Sequence, residues 1–150
     1  MQLRQWVTPE AVTGAIDDDM ARAWLSAVHA SLRSLGGAIA GPVRPPGPGW
    51  NYYRVRVEPK GQVVRILLNA AVGLVAASSD DGVPENGPLE FGEVPAPGSY
   101  RQAGLAVADA DVLRAPLRPE HVERLSDLQR ADVRYHQPES VGDLLFNWFD

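Results

Sequence analysis

The side chains that could move a proton near neutral pH are three histidines, and nothing in their spacing makes a site of them. His29, His121 and His136 stand far apart, with no HxxxH or HExxH pattern between them. A general base could be assembled in space from His136 with Asp132 or Glu139, but a lone histidine without a motif is weak ground for catalysis or metal binding. Asp17, Asp18 and Asp19 open a helical pattern, where first-turn acids already have a role against the helix dipole. No oxygen-rich calcium loop follows them. Asp109 and Asp111 would share one side of an extended segment, yet this half of the chain also uses acids freely at Asp80 and Asp81. No GxSxG, P-loop or GxGxxG pattern occurs, and the absence of cysteine removes thiolate chemistry, disulfides and Cys-based zinc. No metal or cofactor is expected, and the balance weighs against an enzyme.

Contact chemistry is better represented. Tyr53, Val55 and Val57 alternate with Tyr52, Arg54 and Arg56, the period of two that a half-buried strand requires. Lys60-Gly61 suits a two-residue turn, which would pair residues whose numbers sum to 121. Val57 then faces Val64, Val55 faces Ile66 and Tyr53 faces Leu68, an apolar face that resists a slip of one residue. The opposite face sets Arg56 against Arg65, with Arg54 beside them. Like charges directly opposite are mildly unfavourable, so an acidic group is expected between them, from residues 80–150 or from a partner. Tyr52, Arg54, Arg56 and Arg65 form one candidate contact surface, since Tyr and Arg dominate binding hot spots. The competing reading is that a second helix covers this face and the arginines reach past its rim.

Charge is unevenly distributed. Residues 1–79 carry eight basic and five acidic residues (+3), and residues 80–150 six basic and fourteen acidic (−8). The acidic half suits a basic protein partner, with Glu85, Glu90 and Glu93 as contact residues, and argues against nucleic acid. No apolar run approaches the ~20 residues of a membrane span, and MQLRQWVTPE has no apolar core of a secretory signal, so a cytoplasmic setting is expected.

The elements that must position these groups follow from pattern. At 150 residues the chain suits one α+β domain. Thr8-Pro9-Glu10 starts a short helix, and a longer one spans about 18–35, with Met20, Trp24, Val28 and Leu32 on one stripe before Gly36-Gly37. GPVRPPGPG at 41–49 is an irregular connection leading to Trp50. An antiparallel meander occupies about 51–77. Residues 78–102 form a Pro/Gly-rich loop, predicted to be mobile over 80–98 unless Leu89–Phe91 and Val94 make short edge strands. Strands are predicted at Ala103–Val107, Val112–Arg114 and Ala131–His136. A short helix is predicted from Pro119 to Leu128, with Val122, Leu125 and Leu128 on one side. A C-terminal helix at about 140–149 starts from a Ser140/Asp143 capping pattern and packs Val141, Leu144, Leu145, Trp148 and Phe149 on the sheet or across a homodimer interface.

Together these features point to a small non-enzymatic protein-binding module, of the bacterial immunity or antitoxin type, that sets an acidic surface against a basic toxin or enzyme. The alternative is a small-molecule-binding protein or enzyme with a pocket between sheet and helices, to which His136 and Tyr135 would contribute.

Overall fold

The structure is a computed structural model and describes residues 6–80 and 87–149. Its centre is one sheet with helices on both faces, an α+β arrangement. The meander is β2 (Tyr53–Glu58), β3 (Val64–Asn69) and β4 (Leu74–Ser79), edged by β1 (Ala38–Ile39) against β2. Beyond β4 lie two short strands on its free side: β5 (Phe91–Gly92), antiparallel at Ala77 and Ser78, and β6 (Ala106–Val107), parallel at Leu74 and Val75.

The β2–β3 register is the one the apolar pattern demands, with Val57 opposite Val64, Val55 opposite Ile66, Tyr53 opposite Leu68 and Arg56 opposite Arg65. The ladder stops at Val57 and Val64, short of the turn, where Gly61 takes a φ of +75°. β1 was not foreseen, being two residues of an edge just after a helix end.

Two cores fill the faces. On one, helix α2 (Asp18–Leu35) lays Trp24, Val28 and Leu32 over Tyr53, Val55, Val57, Ile66 and Leu68. Each large apolar side chain buried there contributes about 1.5–3 kcal/mol. The Asp17 side chain accepts from the Met20 N–H to begin α2, and Gly36 ends it in the left-handed conformation. Helix α3 (Gly98–Gln102) adds Tyr100 to the same core, its hydroxyl 3.3 Å from that of Ser31.

The other face buries Tyr52, Leu67, Leu74 and Ala76 under helix α1 (Pro9–Thr13), helix α4 (Ala110–Arg114) and helix α6 (Val141–Leu145). Three asparagines clamp this layer. Asn51 Nδ2 donates to Ala11 O and Val12 O, Asn69 Nδ2 to Ala11 O and Leu145 O, and Asn147 Nδ2 to Val12 O and Leu144 O. Asn147 also explains why α6 stops at Leu145 instead of running to 149: its N–H turns to Asn51 Oδ1, and its side-chain oxygen accepts from Phe149 N.

Further expectations are corrected. Val112–Arg114 is not a strand but part of α4, whose first N–H groups include Ala110 N, held by Glu93 Oε1 at 3.0 Å. Ala131–His136 is not a strand but the second half of helix α5 (Asp127–His136). Ser126 and Gln129 form a reciprocal capping box that starts it, and two apolar positions at 133 and 135 were too few to establish a period of two. The helix predicted over 119–128 shrinks to one 3-10 turn, Pro119–His121. Within the predicted loop, residues 87–98 are packed: Leu89, Phe91 and Val94 are buried and Phe91 joins the sheet. Only 81–86 of that stretch lie outside the described residues.

Candidate functional site

The sheet's second face changes character along its strands. Tyr52, Asn69 and Leu74 lie at the helix-covered end. Two rows further on, Arg56, Arg65 and Ser78 stand side by side across β2, β3 and β4. Arg54 lies between these rows, paired through its backbone with Arg44 of the proline-rich connection. Because strand side chains alternate, all these groups point to one face. Three of them, Arg54, Arg56 and Arg65, line an open cavity of about 80 Å³ together with Pro42, Arg44 and Val55.

The expected acidic group is Asp80. Its Oδ1 accepts from Arg65 Nε at 2.7 Å and its Oδ2 from Arg56 Nη2 at 2.6 Å. Burial pushes the Asp80 carboxyl up, but the hydrogen bonds and charges of Arg65 and Arg56 outweigh it and hold the pKa below the ordinary value. Arg54 is buried with its guanidinium 4.5 Å from the centre of the Trp50 ring, whose Nε1 donates to Pro45 O at 2.7 Å. Arg65 Nη1 and Ser78 Oγ, both buried, have no hydrogen-bond partner among the described residues.

Tyr52 is not part of this contact surface. It is fully buried with its ring edge-on to Phe146 at 5.8 Å, so the covering-helix reading holds at its end of the face. Burial pushes its hydroxyl up, partly offset by the charge and hydrogen bond of Arg54 and by the charge of Arg65. Of the strand arginines only Arg56 is largely exposed; Arg54 and Arg65 are buried and do not reach past a rim.

The acidic candidates separate. Glu85 lies outside the described residues. Glu90 is exposed, its backbone oxygen accepting from Ser79 N, and Glu93 spends a carboxylate oxygen on the start of α4. His136 and Tyr135 end α5, where His136 stacks on Phe149 at 4.5 Å and Tyr135 projects into solvent. His121 is buried with Nδ1 accepting from Arg118 N, and His29 is exposed on α2. No group of three or more metal-ligating side chains occurs among the described residues.

No family model, curated protein or solved structure matches this chain. No helix among the described residues is long and apolar enough to cross a membrane.

Two features escaped the sequence. Arg44 sits among prolines with no periodicity to orient it. Leu128 was placed at the end of a helix over 119–128, whereas it lies in the first turn of α5, 81 % exposed. The Ser126-x-x-Gln129 capping box was the signal that would have placed it.

Proposed function

We propose that the protein is a non-catalytic binding module that docks a second, basic protein, in the manner of a bacterial immunity protein or antitoxin. One observation carries the reading. Helix α5 has no buried residue, and Leu128 and Tyr135, seven positions apart on one stripe, are 81 % and 83 % exposed. Exposed Ala131 lies between them. An i, i+3, i+7 set of apolar groups on a solvated helix is the pattern by which helices seat on partners.

The helix is a firm platform. Gln129 Nε2 donates to Pro9 O and Thr13 Oγ1, Val133 packs on the second core, and His136 is stacked on Phe149. The partner's basic character is supported by the −8 charge of residues 80–150. A cysteine-free chain fits the cytoplasmic setting in which such a pair would work.

The test replaces Leu128 and Tyr135 with Asp together. Two exposed substitutions should shift the melting temperature by no more than about 4 °C, since surface changes stay within about ±0.5 kcal/mol each. Wild-type protein should co-purify from its native cells with a stoichiometric basic protein that the double variant does not retain. Equal recovery by both, or no such partner, overturns the reading.

A further inference from the structure

The arginine cleft carries a second inference that uses no residue of α5. We propose that it is a binding site for a small tetrahedral oxyanion, the phosphate dianion, either free or as the terminal group of a monoester.

Four arginines, Arg44, Arg54, Arg56 and Arg65, line one cavity, and Asp80 bridges two of them, Arg56 and Arg65. The carboxylate is used in a way that orients the site without filling it. Its two oxygens engage Arg65 Nε and Arg56 Nη2, which leaves the buried Arg65 Nη1 with a proton and no acceptor. A buried donor without an acceptor is costly enough that native structures rarely keep one. An anion at this end of the sheet would satisfy it.

Size and shape narrow the ligand. The cavity, about 80 Å³ and open to solvent beside the exposed Pro42 and Arg44, has room for a small oxyanion. Guanidinium groups reach the cavity from two strands and a loop. A tetrahedral dianion offers acceptors in several directions, and a planar carboxylate in one plane only. The Trp50 ring under Arg54, itself tied to Pro45 O, holds that donor in place before any ligand arrives.

The test is calorimetric titration of the whole chain at constant ionic strength and pH 7.5 with inorganic phosphate, glycerol 1-phosphate and acetate in separate runs. Saturable one-site binding of inorganic phosphate or the monoester, at least about tenfold tighter than acetate, is expected. A response to inorganic phosphate alone identifies a free ion, and equal or tighter binding of the monoester identifies the terminal group of a larger molecule. Arg44→Ala alters an exposed side chain, so it should keep the melting temperature and weaken binding by about fivefold or more. Asp80→Asn removes the competing carboxylate and should tighten binding, which a purely structural role for the arginines would not produce. Absence of saturable binding, affinity no better than for acetate, or an Arg44→Ala variant that binds as the wild type overturns the proposal. If Asp80→Asn does not fold, the Arg44→Ala result alone decides it.

Discussion

Arg65 and Asp80 meet at 2.7 Å with both side chains nine-tenths covered, while Arg56, on the other oxygen of the same carboxylate, is 56 % exposed. The two halves of this bridge therefore differ in weight. The Arg65 arm is sheltered from water and salt, and the Arg56 arm is largely screened.

Asp80 should make stability depend on acid. Its folded-state pKa is lowered, so the bridge contributes fully above the unfolded value of ~3.9 and is lost as pH falls through the lower folded value. Asp80→Asn is expected to cost about 1.5–3 kcal/mol at pH 7, and the gap from wild type should close below pH ~4. Denaturant unfolding across pH 2–7 measures it; a gap independent of pH would show that the carboxylate's charge is not what matters.

Replacing Arg56 and Arg65 with Gln, singly and together, should give unequal and non-additive losses. Arg65→Gln should cost several times more than Arg56→Gln, and the coupling through their shared carboxylate should be about 0.5–3 kcal/mol. Strict additivity in a double-mutant cycle would mean that Asp80 does not link them.

Asp143 carries the opposite sign. Burial pushes its carboxyl up, only partly relieved by the hydrogen bonds from Glu139 N and Ser140, and the Glu139 charge adds to the rise. Stability linked to the protonated form is present below the unfolded pKa and lost as pH rises through the folded value. Asp143→Asn keeps an acceptor for the two N–H groups, so its melting temperature should gain on wild type from pH 3 to pH 7. A difference that moves the other way would show that the charge at the start of α6 outweighs its burial.

Gly142 is where α6 presses hardest on the sheet. A Cβ there would come within 2.4 Å of the Phe91 ring and 2.9 Å of Leu113 O. Gly142→Ala should destabilise by about 1–3 kcal/mol through overpacking, read as a melting temperature lower by roughly 2–12 °C. An unchanged melting temperature would mean that Phe91 and β5 shift freely.

The parts of this fold that were legible in sequence are those where one pattern governs several residues. The alternation from Tyr52 to Val57 fixed both faces and the register, and from the register came the need for an acid between Arg56 and Arg65. The acid's identity was not legible, because Asp80 follows β4 in a run of exposed-looking acids and reaches the pair only through the β3–β4 pairing. Short elements were misjudged for a related reason. Val133 and Tyr135 mimic a strand over six residues, whereas the Ser126–Gln129 cap sets α5 from outside that window. Arg44 joins the cleft through one backbone bridge to Arg54, a long-range event that no local spacing encodes.

The asparagine clamp has a consequence for the order in which the chain becomes protein. Asn147 holds Val12 O across 135 positions of sequence, and Asn51 and Asn69 hold Leu145 O from the sheet. During synthesis, α2 and the meander can meet early, but the other side of the sheet lacks α6 and its share of the asparagine contacts until residues 141–147 leave the ribosome. Between the completion of β4 and the emergence of α6 the nascent chain is a partly covered sheet, with Tyr52, Leu67 and Leu74 short of their final cover. This interval, more than the finished molecule, is when it is most exposed to aggregation and most in need of a chaperone.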